Sequence, residues 1–281
     1  MNGDTSKLMT RPVGRVLPRP VRRMVRRSLV VARHRGLRPE DVLLVCYPKS
    51  GSTWLRFVVA QALMAQEIDF DSVGRVSPRL GEQRGAPELF GPGRLVKSHE
   101  PWSKITRTPT RAIYLVRDGR DVAVSMYFFV QRRGAFAGTF SEFLDLFLAG
   151  EVNNSGSWAR HVAGWVRARD ASPDRVSLLK YEDMLLHGAA AVRAAFGRIG
   201  VVIDDDALTL ALERNSAGAM RSKESRSETI GKRQGKSAEA KAIPFVRVGR
   251  SGKWVETFDE EQERRFSRAA GDVLVAAGYL Q

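Results

Sequence analysis

Short apolar runs along the chain end in polar, glycine-containing turns and are followed by stretches with helical spacing. Residues 41–48 form an apolar run that ends in Pro-Lys-Ser-Gly, and residues 53–67 place apolar side chains about every third or fourth position. A buried parallel strand followed by a helix explains both patterns. Further short strands are predicted over residues 94–98, 111–116 and 175–181. This alternation predicts an α/β fold with a parallel sheet flanked by helices on both faces.

The rest of the chain predicts more helices and two irregular stretches. Helices are expected over residues 118–130, 139–150, 156–169, 188–199, 205–214 and 258–277. Asp121 is the expected cap of the first of them. Residues 68–93 contain many glycines and prolines and predict a loop, and residues 221–243 are polar, basic and without periodicity. A single domain over residues 39–281, preceded by a peripheral basic arm over residues 1–38, is the simplest organisation.

Positive charge dominates the chain of 281 residues, with a formal net charge of +15 and a pI of about 10.6. Much of the excess lies in residues 11–38 and 221–253, which indicates an anionic partner. Nucleic acid is disfavoured because no RNA-binding or zinc motif is present in the sequence. The N-terminal basic region predicts a solvated helix or arm, and peripheral association with an anionic membrane is the alternative.

The single cysteine, Cys46, lies inside an apolar run and is predicted to be a buried packing residue. One cysteine excludes an internal disulfide, which fits a reducing compartment. No stretch approaches 18 consecutive apolar residues, so no transmembrane helix is expected. Together these features predict a cytoplasmic protein.

The segment Tyr47–Trp54, with the sequence YPKSGSTW, joins the first predicted strand to the first helix. Backbone N–H groups at a helix N-terminus bind anions, Gly51 allows a close backbone approach, and Lys49 adds a positive charge. A Walker A loop carries its lysine after the second glycine, whereas this lysine precedes the glycine. The segment is predicted to hold the phosphate end of a nucleotide donor, and an ordinary turn with a solvated lysine is the alternative.

Lys97 lies at the end of the second predicted strand and His99 directly after it, at the sheet edge where open parallel sheets bind ligands. A histidine there can take a proton from a hydroxyl near neutral pH. Arg117 ends the third strand and suits a terminal phosphate, or else pairs with Asp118 or Asp121.

Ser125 is predicted about two turns into the helix that follows Arg117. Near the C-terminus, the stretch FVRVGRSGKW places Arg247 and Gly249 in a basic, glycine-containing segment. This segment predicts either a basic loop or a second phosphate clamp.

In this order, the four stretches resemble the PAPS-dependent sulfotransferase family of the cytosolic type, where PAPS is 3′-phosphoadenosine 5′-phosphosulfate. LKYEDML over residues 179–185 is similar to the family's Tyr-Glu-Asp segment. The resemblance covers about residues 41–277. It implies a P-loop NTPase-like sulfotransferase fold, PAPS as the donor, PAP as the product and no metal.

The resemblance also implies a role for each matched residue. His99 would be the general base, with Lys97 and Lys49 near the transferring group. The 5′-phosphosulfate would be held by Lys49, Ser50, Gly51, Ser52 and Thr53. The 3′-phosphate would be held by Arg117, Ser125, Arg247 and the Gly249 backbone, and the rest of the nucleotide would contact Trp54, Tyr181 and Ser216.

Three positions depart from the family pattern. Ser52 replaces a threonine. Val248 replaces a lysine, for which Arg250 is a candidate substitute. Ala217 stands where a phenylalanine usually stacks on adenine, so Trp54 is expected to be the main adenine platform. The family's C-terminal dimerisation motif is not recognisable, which leaves the oligomeric state open.

The implied reaction is in-line transfer of the sulfuryl group of PAPS to a hydroxyl of a small-molecule acceptor, which depends mainly on positioning and charge stabilisation. A P-loop kinase of the nucleotide or shikimate type is one alternative, but it requires an intact Walker A loop. A basic protein that binds nucleic acid or anionic polysaccharide through residues 11–38 and 221–253 is the other.

The acceptor pocket is expected in the least regular segments, residues 68–96, 128–158 and 221–245. They combine Arg132 and Arg133 with the aromatic residues Phe128, Phe129, Phe136, Phe140 and Trp158. A steroid, phenol, lipid, sugar or natural-product hydroxyl is compatible with this composition. Residues 221–243 are also candidates for a lid that excludes water.

Overall fold

Four parallel strands form the central sheet. The computed structural model describes residues 28–102, 110–232, 235, 237–238, 242–246 and 249–280. Its strands are β1 (Val42–Cys46), β2 (Leu95–Ser98), β3 (Arg111–Val116) and β4 (Val176–Lys180). They are arranged β2-β1-β3-β4, and every neighbouring pair is parallel. The predicted parallel α/β sheet is confirmed, because each strand lies within the segment predicted for it.

Helices cover both faces of this sheet. In chain order they are α1 (Ser52–Met64), α2 (Val73–Val76), α3 (Gly119–Arg132), α4 (Phe140–Ala149), α5 (Trp158–Ala171), α6 (Tyr181–Gly197), α7 (Asp205–Arg214), α8 (Ala217–Ser225), α9 (Glu228–Gly231) and α10 (Glu260–Ala276), with a 3₁₀ turn at Lys253–Glu256. Alternate β1 side chains enter two separate apolar cores. Helices α1, α6 and α7 contribute to one core, and α3, α4, α5 and α10 to the other.

Cys46 is fully buried in the core beneath α1, as predicted for a packing residue. Burial raises the pKa of its thiol, since an apolar environment disfavours the thiolate. Within the described residues, no helix combines the length and apolar character needed to cross a bilayer.

Several predicted boundaries differ from the structure. The predicted loop 68–93 contains the short helix α2. The helix expected over residues 188–199 begins earlier, at Tyr181 directly after β4, because a kink at Gly188 (φ 53°, ψ −124°) divides it and hides its first turns from the helical pattern. The first part of 221–243, predicted to lack regular structure, belongs to α8 and α9. Serine caps at Ser216 and Ser227 start these two helices despite their weak apolar periodicity.

Much of the predicted basic arm lies outside the described residues, but its last part is visible. Residues 28–34 are helical, and the turn that follows is tied to the domain. Gln83 donates from Nε2 to the carbonyl of Arg33 at 3.1 Å, and Arg94 donates from Nη2 to the carbonyl of Gly36 at 2.6 Å. The final residues of the arm therefore pack against the domain.

Candidate active site

A cavity of about 840 Å³ opens at the carboxyl ends of β1, β2 and β3. Ligands of open parallel sheets bind at this edge. Residues from each of the stretches singled out in the sequence line it: Lys49, Gly51, Ser52, Thr53, Trp54, Lys97, His99, Arg117, Ser125, Tyr181 and Gly249. The fold thus brings together groups that are up to 200 positions apart in the chain.

The turn between β1 and α1 has the geometry of an anion cradle. Lys49 has a positive φ of 77°, and Gly51 takes φ 98° and ψ 10° at the N-cap of α1. No side chain caps this helix, and its first turn has no acidic residue. The N–H groups and the positive end of the helix dipole therefore face the cavity unneutralised.

Ser50 lies beneath this turn, 1% exposed, and its Oγ has no hydrogen-bond partner among the described residues. A buried hydroxyl without a partner is costly unless a ligand or water completes it. The turn therefore retains donor capacity for an anion.

Tyr181, the first residue of α6, is the centre of an aromatic platform beside the cradle. Its ring lies 5.7 Å from the Trp54 ring in an edge-on arrangement, and the Arg117 guanidinium lies 4.5 Å above it. The Trp54 indole N–H donates to the Asn215 carbonyl at 2.9 Å. A Cβ added at Gly51 would lie 2.6 Å from the Tyr181 ring, so only glycine fits between the cradle and this ring.

A second cationic cluster forms where β3 ends. Arg117 donates to the Arg250 carbonyl at 2.9 Å and approaches Asp121 at 3.6 Å. Asp121 also accepts from the backbone N–H groups of Gly252 (2.8 Å) and Trp254 (3.0 Å). Asp121 therefore anchors the C-terminal loop next to Arg117.

Asp121 was expected to cap α3, and that prediction is wrong. The cap is Asp118, whose carboxylate accepts from the Arg120 N–H at 2.9 Å. Arg117 has the ion pair with Asp121 that its alternative interpretation predicted, and it also lines the cavity. The ion pair with Asp121 does not remove Arg117 from the cavity, because the guanidinium also lies over the Tyr181 ring.

Replacing Asp121 with alanine should lower the free energy of unfolding by about 1.5–3 kcal/mol, because two backbone N–H groups lose a charged, buried acceptor. Urea denaturation measures this change. The matched control is Asp145→Ala, which removes an exposed carboxylate paired with Arg265 and should cost less than about 1 kcal/mol. Equal losses in the two variants would contradict the anchoring role of Asp121.

His99 lies on the other side of the cavity, just beyond β2. Its Nδ1 is 2.8 Å from the Cys46 carbonyl, which can only accept, so this nitrogen carries the proton and Nε2 is the basic one. Burial, followed by the charge of Lys97, lowers the pKa of His99 well below 6.5. The ring is therefore neutral at pH 7, which is the form that accepts a proton.

The carbonyl of His99 is held by two partners that sequence reasoning missed. Ser155 donates its hydroxyl at 3.0 Å, and the buried His161 approaches through Nε2 at 3.2 Å. Tyr114 lies 2.9 Å from the other ring nitrogen of His161. The sequence signal for this support was His161 itself, a single histidine within the helix predicted over residues 156–169.

Three predicted nucleotide-binding residues differ from the rest, and one of them is Ser50, which does not line the cavity. Ser216 caps α8 by accepting from the Ala219 N–H at 3.5 Å. Its neighbours Asn215 and Ala217 line the cavity, and the structure does not place Ser216 there. Arg247 lies outside the described residues, whereas Arg250, the candidate substitute cation, lines the cavity.

The expected acceptor segments contribute only part of the cavity wall. Phe129 and Phe245 line it and enclose the Lys49 ammonium at 4.6 and 4.5 Å from their ring centroids. Phe136 and Trp158 instead belong to the buried core, as their alternative interpretation predicted. Cation–π contacts of this kind fix the ammonium between the cradle and the apolar wall.

Glu224 and Arg132 anchor the segment that carries Phe245. Glu224 accepts from the N–H groups of Phe245 (2.5 Å) and Val246 (2.8 Å), and it pairs with Arg132 at 3.8 Å. Arg132 also donates to the Ile243 carbonyl at 3.0 Å. Sequence reasoning missed this anchor because both residues lie in stretches read as irregular.

The comparison with known proteins settles the family. The family model described as Sulfotransferase domain matches residues 39–276. The chain belongs to the sulfotransferase family. Sulfotransferase 1 family member D1 of Rattus norvegicus is 30% identical over 252 residues, covering 82% of this chain and 81% of that protein.

Solved structures share the fold of this sulfotransferase. Mouse sulfotransferase SULT7A1 complexed with PAP superposes with a TM-score of 0.64 and 22% identity, covering 84% of each chain. Retinol dehydratase in complex with androsterone and inactive cofactor PAP gives a TM-score of 0.71 and 20% identity, covering 89% of this chain and 85% of that one. The predicted sulfotransferase fold is therefore confirmed.

Proposed function

We propose that this sulfotransferase transfers the sulfuryl group of PAPS to a hydroxyl of a small-molecule acceptor and releases PAP. The observation that carries the proposal is the arrangement of two separate anion-binding clusters around one aromatic platform. The cradle at Lys49–Thr53 and the cluster at Arg117 and Arg250 both line the cavity, with Trp54 and Tyr181 beside them. A nucleotide with phosphate groups on both its 5′ and 3′ sides fits two such clusters.

The residues present fit this donor. Ser50 Oγ and Arg117 Nε are buried side-chain atoms without a partner among the described residues, and one lies at each cluster. Both Lys49 and Gly51 have a positive φ, and Gly51 adopts it without strain because it lacks a Cβ. Two relatives in fold were solved with PAP, which supports the same ligand here.

In the proposed reaction, the neutral His99 removes the acceptor proton through Nε2 as the hydroxyl oxygen attacks sulfur. Lys49 stabilises the negative charge that develops on the leaving bridging oxygen, and Lys97 stabilises the other sulfuryl oxygens. The Cys46 carbonyl keeps the His99 ring in the required tautomer. The reaction needs positioned charges and one base, and the cavity contains both.

The test of the donor is a pair of nucleotides that differ by one phosphate. PAP should raise the melting temperature more than adenosine 5′-phosphate, because only PAP has a 3′-phosphate for the cluster at Arg117. A ligand that binds the native state stabilises it by about 2.7 kcal/mol at 100 times its Kd. Replacing Arg117 with alanine should remove most of this difference. Thermal melts with increasing concentrations of each nucleotide measure it.

Arg111→Ala is the matched control for this test. Arg111 begins the same strand at its opposite end, where it donates to the Glu40 carbonyl at 2.7 Å. This variant should keep the preference for PAP. Failure of PAP to shift the wild-type melting temperature would overturn the proposed donor, and an unchanged preference in Arg117→Ala would overturn the role of Arg117.

A further inference from the structure

Arg79 lies beside the proposed reaction centre on a segment that extends the sheet. The Lys97 N–H donates to the Pro78 carbonyl at 2.8 Å, and the Leu80 N–H donates to the Lys97 carbonyl at 2.7 Å. Arg79 and Lys97 are therefore paired in parallel register. Paired residues point to the same face of a sheet, and His99, two positions after Lys97, continues on that face.

All three of these side chains line the cavity. Electrostatics agree with their proximity. After burial, the positive charges of Lys97 and Arg79 are among the causes that lower the pKa of His99. Arg79 therefore faces the same space as the proposed base. Its segment pairs with β2 on the edge opposite β1, so Arg79 lies on the side away from the β1–α1 cradle.

Several other charged groups that line the cavity already have partners. Arg56 is buried and donates to the Val73 carbonyl at 2.9 Å, and Arg132 pairs with Glu224. Asp71 accepts from the Thr229 N–H and the Ser227 hydroxyl, both at 3.0 Å. Because these groups bind other parts of the protein, a ligand is recognised by other charged side chains.

Arg79 is exposed and makes no salt bridge within the part of the chain that the structure describes. Eight lysine or arginine side chains line the cavity against three carboxylates, those of Asp71, Glu82 and Asp121. Cations therefore outnumber carboxylates there. An electropositive cavity wall attracts an anionic group.

The cavity wall also has an apolar part that includes Phe70, Phe129, Ile230, Phe245 and Val246. Such a wall favours a molecule with a ring or an alicyclic body. The guanidinium of an arginine matches a carboxylate in a planar, two-bonded pair. The wall and Arg79 together suit an amphiphilic acid.

We propose that Arg79 binds a carboxylate of the acceptor, so that the enzyme selects apolar hydroxy acids. This inference rests on the proposed function, since it names the acceptor class of the same site. The guanidinium would orient the acid while its hydroxyl lies against His99 Nε2. Arg79 would thereby determine specificity without taking part in the proton transfer.

The experiment compares acids with their own methyl esters under saturating PAPS. Two hydroxy acids of different shape serve as probes, a hydroxyphenylalkanoic acid and a hydroxylated steroid carboxylic acid. In the wild type, kcat/KM for at least one acid should exceed that of its ester by about tenfold or more, as expected for a charge-assisted bond. Arg79→Ala should bring that ratio close to one, and Arg79→Lys should restore part of it.

Arg133→Ala is the matched control, because it removes a second exposed arginine, stacked 5.6 Å from the Phe129 ring in the same cavity. This variant should keep the acid preference. The inference is overturned if the wild type prefers esters or makes no distinction, if neither acid is sulfated, or if Arg133→Ala loses the preference instead. An equal loss for acid and ester in Arg79→Ala would also overturn it, since Arg79 would then act on the sulfuryl group.

Calorimetric titration of the same preparations with PAP separates the two levels of inference. If PAP does not bind, the proposed function fails. If PAP binds and the acid preference is absent, the assignment of the acceptor class alone fails. Melting temperatures of the two arginine variants check that they fold, which is expected because both side chains are exposed.

Discussion

Replacing His99 with asparagine should lower kcat by about 10²–10⁴-fold, the usual contribution of a general base. The asparagine amide can still donate to the Cys46 carbonyl, which His99 reaches at 2.8 Å. The affinity for PAP should therefore be unchanged. Initial rates with labelled PAPS and an accepted hydroxyl compound measure kcat, and calorimetric titration measures PAP binding.

His187→Asn is the control for this prediction, because His187 is exposed on α6 and should have no effect on rate. A full rate in His99→Asn would show that another group removes the acceptor proton. A parallel loss of PAP affinity would instead assign His99 to the shape of the cavity.

The pH profile is a second readout of the same variant. The pKa of His99 lies well below 6.5, mainly because the ring is buried. The base is therefore already active at neutral pH, and kcat/KM should fall only on the acid side, as pH drops through that lowered value. Protonation favours the unfolded chain, whose histidine has the higher pKa, so stability should also fall below about pH 6.5. His99→Asn should lose both of these contributions.

The strands could be predicted closely because they are buried on both faces. A strand such as β1 has no solvent face, so its residues form a continuous apolar run that ends where the chain turns into the cavity. The same property placed Lys49, His99 and Arg117 at one sheet edge, since each follows a strand of a parallel sheet. Local sequence and topology were sufficient for these positions.

Groups that act through distant partners could not be predicted in this way. Asp121 resembles a helix cap in sequence, yet its carboxylate binds N–H groups more than 130 positions later. The support of the His99 carbonyl by His161 depends on how α5 packs across the sheet. Ser216 is the reverse case, because its hydroxyl oxygen accepts from a local cap bond, whereas the family resemblance assigned this residue to the nucleotide. For Asp121 and His161 the tertiary contact decides the role, and nearby residues do not indicate it.

Replacing Gly51 with alanine should weaken PAP binding by about 100-fold or more, the second-largest effect expected in this enzyme. Gly51 has a φ of 98°, which costs an L-residue about 1–3 kcal/mol. The added Cβ would also lie 2.6 and 2.8 Å from two ring carbons of Tyr181, so the ring must move. Calorimetric titration with PAP measures the loss.

Gly85→Ala separates these two causes. Gly85 also has a positive φ, 77°, but a Cβ there meets no atom within 4 Å. This control should show the backbone strain as a small loss of stability, with PAP affinity unchanged. If Gly51→Ala behaves in the same way, the close approach of the cradle to Tyr181 has no role in binding.

The size of the effect at Gly51 follows from what Tyr181 contacts. Its ring carries the Arg117 guanidinium at 4.5 Å and lies against Trp54 at 5.7 Å. One methyl group at the cradle would therefore displace the platform and the second cationic cluster together. A double variant, Gly51→Ala with Tyr181→Leu, should bind PAP no more weakly than Tyr181→Leu by itself, apart from the backbone strain. Such non-additivity is expected when two residues share one contact, and full additivity would mean that the two anion-binding clusters act independently.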